Sequence, residues 1–225
     1  MNYISILKKS QLFFGIEANE IQSMLGCLSA VEKKYDKNEV IFHQGETVDY
    51  MGLVLSGCVH IVKDDFWGNR TILSDITPSQ MFGESFACAD KQGLTVSALA
   101  VEATTVLFLD VKRILTTCPS ACSFHTRLIR NLLSVFAEKN LMLTGKIEHI
   151  TKRTTREKLL SYLSAESIKA GSATFQIPFN RQQLAEYLAV ERSAMSLELS
   201  KLQKDDFLTY HKNEFHLKEH FTHEA

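Results

Sequence analysis

The sequence lacks a hydrophobic run long enough to cross a membrane. No apolar stretch approaches the roughly 18 residues that a membrane-spanning helix needs. The first residues, MNYISILKKS, also lack the layout of a secretory signal peptide. We therefore expect a cytoplasmic protein without a membrane partner.

Charge and cysteine content show no marked excess either. The formal net charge is -1, and the five cysteines are scattered, which is typical of reduced thiols rather than of a disulfide framework. Because the overall charge does not favour nucleic acid, any such binding must depend on local basic residues. Candidates cluster in one short segment: Lys152, Arg153, Arg156 and Lys158.

Short strand-like runs separated by turn sequences dominate the middle of the chain, after two amphipathic helical patterns within residues 3–30. Many short strands at roughly ten-residue spacing predict a β-barrel or jelly roll, a fold that often holds a small ligand. The predicted strands are 40–43, 52–55, 59–62, 70–73, 81–82, 95–100 and 105–109.

A long helix is predicted from about residue 119 to residue 150. Its apolar positions recur at alternating spacings of four and three, as in a parallel two-stranded coiled coil, where a polar residue such as Asn140 fixes the register. A neighbouring face with Leu128, Leu132 and Val135 is expected to pack on the barrel. The alternative is one wide core face in a monomer. The predicted dimer interface comprises Ile129, Leu133, Phe136, Asn140, Leu143 and Ile147.

Residues 179–208 predict two short helices joined by a tight turn. Asn180 and Gln183 have the spacing of a capping box, and β-prone runs at 207–210 and 214–217 follow. A helix-turn-helix followed by a hairpin is a winged helix, whose second helix offers donors to a DNA major groove. The inward positions of that second helix are Met195, Leu199 and Leu202.

This order of elements resembles the Crp–Fnr family of bacterial transcription regulators along nearly the whole chain. The matching segments are IFHQGE from Ile41, YMGLVLSGCVHIVK from Tyr50, FGES from Phe82, RQQLA from Arg181 and VERS from Val190. The resemblance implies an α+β fold with two domains. An effector domain with the dimer helix would span residues 1–148, and a winged helix-turn-helix domain would span residues 149–225.

The resemblance also implies an effector pocket at the place where cyclic-nucleotide barrels hold their phosphate. Residues of the dimer helix that would meet the base fall close to Leu141 and Met142, which are apolar. The implied pocket comprises Phe82, Gly83, Glu84, Ser85, Leu94, Thr95, Leu141 and Met142.

One departure from the family pattern concerns the phosphate. Members that bind cyclic nucleotides carry an Arg about a dozen residues after the Glu of this segment. Here Glu84 is present, but the Arg position is Leu94, and no Arg occurs within residues 71–112. A buried phosphate without a guanidinium would be poorly compensated. We therefore expect a small effector other than cyclic AMP.

The DNA contacts are likewise implied by the resemblance. Arg192 begins the recognition helix and is expected to contact a guanine edge, whereas the second Arg of the family pattern is Leu197 here. Arg181, Gln182 and Lys201 are better placed as phosphate contacts. The complete predicted set is Arg181, Gln182, Arg192, Ser193, Ser196 and Lys201.

The expected protein is a homodimer that binds a palindromic site in double-stranded DNA and is not an enzyme. RNA polymerase is a candidate partner. One alternative is a ligand-sensing barrel that does not bind DNA, as in kinases or channels. Another is a cupin-like metal-binding protein, but His43 and His60 lie on separate predicted strands without a paired spacing.

Few residues are candidates for binding an iron–sulfur cluster or a haem, as some relatives do. No cysteine precedes Cys27, and Cys118 and Cys122 are the only close pair. His60 and His125 are the candidate haem ligands. Cysteines and histidines of this kind are more often core or hydrogen-bonded structure, so we expect no metal.

Overall fold

Antiparallel strands make up most of the first part of the protein, in a computed structural model that describes residues 3–89, 92–116 and 123–218. The strands are β1 (Val31–Tyr35), β2 (Val40–Phe42), β3 (Tyr50–Ser56), β4 (Val59–Asp64), β5 (Arg70–Ile76), β6 (Met81–Phe82), β7 (Ser97–Ala100) and β8 (Thr104–Asp110). They form two four-stranded sheets, with the orders β1-β8-β3-β6 and β2-β7-β4-β5. The predicted β-rich N-terminal fold is therefore confirmed.

Strand β1 was not predicted from the sequence. Its residues, VEKKY, include three charged side chains, and all but Tyr35 are exposed. The strand lies at the edge of its sheet and pairs with β8 from Val31 opposite Phe108 to Tyr35 opposite Thr104. An edge strand exposed on most of its length has no strong hydrophobic alternation to reveal it.

Aromatic side chains pack against one another between the two sheets. The ring of Phe42 lies 5.6 Å from that of Phe82 and 5.7 Å from that of Phe108, measured between centroids. Phe82 sits directly over Gly52, where an added Cβ would lie 2.4 Å from a ring carbon. Gly52 is therefore required by the close approach of this ring to the strand.

A second core lies between the first sheet and a layer of helices. These are α1 (Ile4–Leu7), α2 (Ala18–Cys27), α3 (Glu84–Cys88), α4 (Val111–Leu115) and the start of the long helix α5 (Ser123–Ile150). Helix α5 contributes Leu128, Leu132 and Val135, which are at most 2% exposed. The predicted packing of this face on the β domain is confirmed.

The C-terminal part has its own core of helices and three strands. Its elements are α6 (Thr155–Ala170), β9 (Thr174–Gln176), α7 (Arg181–Tyr187), α8 (Arg192–Lys204), β10 (Leu208–His211) and β11 (Glu214–Leu217). The sheet has the order β10-β11-β9. The predicted helix-turn-helix, hairpin and additional strand are thus confirmed, and with them the α+β class.

The chain forms two compact units, Met1–Ala137 and Glu138–Ala225. Their border lies within helix α5. The predicted break after this helix is confirmed, because α5 ends at Ile150 and α6 begins after a capping box between Thr154 and Glu157. The predicted functional domains, 1–148 and 149–225, stay a prediction.

Replacing Gly52 by alanine tests the packing between the sheets. We expect Gly52→Ala to lower the free energy of unfolding by about 1–3 kcal/mol, the usual cost of overpacking a core. Gly145→Ala is the control, because a Cβ there meets no atom within 4 Å and the helix should gain about 0.5–1 kcal/mol. Urea denaturation followed by circular dichroism measures both, and equal stabilities of the two variants would contradict this packing.

Candidate functional site

The two helices of the helix-turn-helix are fixed by local hydrogen bonds. The Asn180 side chain accepts from the Gln183 N–H at 3.0 Å, while the Gln183 side chain accepts from the Asn180 N–H at 2.9 Å. The turn contains Ala189 with a positive φ of 50°. This reciprocal cap is the capping box predicted from the sequence.

Helix α8 buries one face and exposes the other. Met195, Leu199 and Leu202 are fully buried, as predicted. Arg192 and Ser193 are exposed on the first turn, where side chains of a recognition helix reach base edges. The predicted contact Ser196 is half-buried, and its hydroxyl donates to the Arg192 carbonyl at 2.9 Å.

Arg156, on α6, contacts α8 and the residues that follow it. Arg156 forms ion pairs with Glu198 at 3.3 Å and with Asp205 at 3.0 Å, and its guanidinium lies 4.8 Å from the centre of the Phe207 ring. Arg156 therefore ties α6 to the middle of α8 and to the residues that directly follow α8. This contact supplies a structural role that sequence reasoning missed.

Two other basic residues are also engaged within the C-terminal unit. The Lys158 ammonium donates to the carbonyls of Leu188 and Ala189, at 3.4 and 3.3 Å, and so caps the C-terminal end of α7. Lys201 lies 3.4 Å from Glu198 but remains exposed. The predicted phosphate contact of Lys201 stays a prediction.

Arg181 packs against the wing rather than projecting freely. Its guanidinium lies 4.6 Å from the centre of the Tyr210 ring and 5.1 Å from that of Phe215. Burial lowers the pKa of this guanidinium, and its Nη2 atom is buried. Arg181 thus joins α7 to the hairpin, while the neighbouring Gln182 is exposed and donates to Glu186 at 2.7 Å. The predicted phosphate contacts of both residues stay predictions.

Of the predicted effector residues in the first unit, those from Phe82 to Ser85 lie at the start of α3, and Leu94 belongs to the same hydrophobic core as Phe82. Phe82, Glu84 and Leu94 are at most 4% exposed, whereas Ser85 and Thr95 are exposed. The backbone of Leu94 exchanges hydrogen bonds with the 45–46 turn, at 2.7 and 2.8 Å. Leu141 and Met142 belong to the second unit and are 73% and 62% exposed, and their grouping with Glu84 stays a prediction.

The predicted dimer residues lie along α5. Leu133, Leu143 and Ile147 are 63%, 54% and 56% exposed in the single chain. Asn140 is also exposed, whereas Ile129 and Phe136 are half-buried and contact the first core. An exposed row of large apolar side chains at heptad spacing is what an unpaired coiled-coil helix presents.

His149 anchors the last turn of α5 to the winged-helix core, a role that sequence reasoning did not find. Its Nδ1 lies 2.9 Å from the Ser161 hydroxyl. Its ring centre is 5.7 Å from that of Tyr162 and 6.4 Å from that of Tyr187. Burial lowers the pKa of His149, because a buried charge is poorly solvated.

Known proteins share the β-rich part of this arrangement. Residues 32–120 match the family model described as "Cyclic nucleotide-binding domain". This segment is therefore similar in sequence to that domain family. The matched range includes most of both sheets and the region around α3.

Two curated relatives are similar to this chain in sequence. The cyclic AMP receptor protein of Thermus thermophilus is 31% identical over 103 residues, which are 46% of this chain and 46% of that protein. The voltage-gated delayed rectifier potassium channel KCNH1 of Homo sapiens is 25% identical over 210 residues, 85% of this chain and 20% of the channel. The aligned part is thus less than half of either relative.

A solved structure shares the fold over most of the chain. It belongs to the c-di-GMP responsive global regulator CLP of Xanthomonas campestris, with a TM-score of 0.53 and 17% identity, and it covers 89% of this chain and 99% of that chain. The resemblance to Crp–Fnr regulators is therefore confirmed at the level of the fold.

Two buried side chains of this segment bear on the expected effector. Leu94, at the predicted phosphate position, is buried and apolar, so a phosphate there would lose its hydration without gaining a cation. Phe82, which begins the segment before Glu84, fills the interior against Phe42 and Gly52. The expectation of a different effector rests on these contacts.

The histidines named as candidate ligands have partners within the protein. His125 Nε2 donates to the carbonyls of Arg113 and Ile114 at 3.1 and 3.0 Å, and His60 pairs with Asp75 at 3.1 Å. Cys118 and Cys122 lie outside the described residues. Within 3–89, 92–116 and 123–218, no three His, Cys, Asp or Glu side chains converge as metal ligands would.

Across the part of the chain that the structure describes, no helix combines the length and the apolar character that a bilayer requires.

The environment of His149 predicts a pH dependence of stability. Its folded pKa lies below the ordinary value of 6.5, so between these two pKa values the unfolded chain binds more protons. Stability of the C-terminal unit should be complete above about pH 6.5 and fall as the pH drops through this window. The charged groups acting on His149 are Glu148 and Glu166, which favour its proton, and Lys152, which opposes it.

Urea denaturation between pH 5 and pH 8 measures this dependence. His149→Gln should flatten the decline, whereas His211→Gln, which changes an exposed histidine of the wing, should retain it. An unchanged decline in His149→Gln would show that another group is responsible.

Proposed function

We propose that this protein is a homodimeric, sequence-specific DNA-binding transcription regulator of the Crp–Fnr type. The observation that carries the proposal is the exposed first turn of α8, with Arg192 and Ser193, on a helix-turn-helix that is capped and followed by a wing. In this reading, Arg192 contacts a guanine edge, and Gln182 and Lys201 contact phosphates.

The long helix supplies the geometry of the dimer. Two recognition helices must lie about 34 Å apart to reach successive major grooves on one face of the duplex. A pair of α5 helices joined along Leu133, Asn140, Leu143 and Ile147 provides a two-fold axis for this arrangement. The two-fold axis implies a palindromic site in double-stranded DNA.

Regulation is proposed to act through a small effector other than cyclic AMP. The effector shifts the population toward the DNA-binding state only if it binds that state more tightly. RNA polymerase is a further proposed partner, since such regulators act at promoters. We expect a cytoplasmic binding protein and not an enzyme.

The alternative is a ligand-sensing module that does not bind DNA. The alignment with a potassium channel over 85% of the chain favours this candidate. The winged-helix unit, with its exposed Arg192, is the feature that this alternative does not use. DNA selection from a random duplex library at low salt separates the two, because the module would enrich no sequence.

Arg192→Ala should relax sequence preference at one position of each half-site. Loss of a bidentate contact to guanine costs about 1–3 kcal/mol of discrimination. Lys204→Ala is the control, since it removes a charge from the last turn of the same helix without a proposed base contact. Fluorescence anisotropy with the selected duplex and single-base variants measures both. Unchanged discrimination in Arg192→Ala would contradict the assignment.

Leu133→Glu should convert the dimer into a monomer. The side chain is 63% exposed in the single chain, so the change should spare the fold while placing a charge in the apolar seam. Ile168→Glu is the matched control, because Ile168 is 79% exposed on α6, outside the seam. Sedimentation velocity at micromolar concentration measures the state. A monomeric wild type, or a dimeric Leu133→Glu, would refute this interface.

A further inference from the structure

A cavity of about 300 Å³ opens between the two sheets, beside strand β1. Its walls are the aromatic rings of Tyr35, Phe42, Tyr50 and Phe108, with Val31 among the lining residues. None of the predicted effector residues around Glu84 lines it. The cavity is therefore separate from the filled region beneath Phe82.

The rings around this cavity are arranged about Phe108. Tyr35 and Phe42 meet Phe108 edge to face, with centroids 6.3 and 5.7 Å away. Aromatic pairs favour such edge-to-face contacts, and a planar ring of a ligand would continue the same packing. A volume of about 300 Å³ is at the lower end for ligand pockets and suits a molecule with a single ring.

Lys33 is the charged side chain of the lining. Its ammonium lies 5.6 Å from the centre of the Phe108 ring. Lys33 pairs with Val106, a buried residue of the core between the sheets. The neighbouring Lys34 must point to the opposite face, because successive side chains of a strand alternate.

Because Lys33 is the one cation among the described residues that line this apolar cavity, the cavity favours a ligand with a single negative charge. Ligand pockets are mostly apolar, with a few polar groups that fix orientation. A singly charged anion would be compensated by Lys33, whereas a phosphate dianion would keep an unbalanced charge next to four rings. A carboxylate attached to a ring satisfies both the charge and the shape.

We propose that this cavity binds a small aromatic monocarboxylate, with the ring among Tyr35, Phe42 and Phe108 and the carboxylate against Lys33. The inference rests on the proposed function in one respect, namely that this ligand would be the effector of the regulator. The binding site itself depends only on residues of the first unit.

Benzoate and its uncharged isostere benzamide test the proposal by ligand-observed NMR on the full-length protein at pH 7.5. Benzoate should bind, and benzamide should bind about five times more weakly, as expected for the loss of a partly exposed ion pair. Lys33→Gln should weaken benzoate by a similar factor and leave benzamide unchanged. Lys34→Gln, the matched control, should bind both like the wild type.

A second variant keeps the test independent of charge. Val31 lines the cavity and is 47% exposed, so Val31→Trp should obstruct the cavity without overpacking the core, and both probes should lose binding. Circular dichroism verifies the fold of each variant. The site would be overturned if benzoate still bound to Val31→Trp, or if Lys33→Gln and Lys34→Gln weakened benzoate binding equally. It would also be overturned if the wild type bound neither probe, since Lys33 would then only cover Phe108.

Failure of this carboxylate site and failure of the proposed function give different results. If the wild type enriches a duplex sequence but binds no benzoate, the carboxylate site is wrong and the regulator stands. If it binds benzoate through Lys33 but enriches no sequence, the site stands and the regulator is wrong. A change in DNA affinity on adding benzoate, absent in Lys33→Gln, would support both.

Discussion

The structure depends on the packing of helix α5 against the first β-sheet. This contact buries Leu128, Leu132 and Val135, and it fixes the rotation of the helix about its own axis. The next face, with Leu133 and the residues seven and fourteen positions later, is then left toward solvent. Because one helix face is committed to the domain core, the other is available to a second chain, and the proposed dimer follows from this division.

The interior between the sheets is packed beneath Phe82 and open beside β1. Where a cyclic nucleotide would need a cation, this chain has the buried Leu94, and Phe82 occupies the space above Gly52. The remaining space lies beside β1, where Lys33 supplies a charge at a different position. With the proposed ligand in the open part, the protein would bind a different molecule without any change in the order of its strands.

Sequence reasoning succeeded where the signals are local. The spacing of Asn180 and Gln183 specifies a helix start through two hydrogen bonds within four residues, and the turns between strands are similarly short-range. Strand β1 was missed because its edge position allows charged residues that hide the alternation. The roles of Arg156, Arg181 and His149 depend on partners far away in the sequence, such as Phe207 for Arg156, so no local pattern could reveal them.

The contacts of Arg156 determine how the C-terminal unit would respond to a movement of α5. Two carboxylates, one midway along α8 and one just after it, are tied to the same guanidinium, and the ring of Phe207 covers it. Such a brace resists local bending or unwinding of the helix. In the proposed regulator, a movement of α5 would therefore rotate the winged-helix unit as a rigid block. Such a movement would change the spacing between the two half-sites and leave the recognised bases the same.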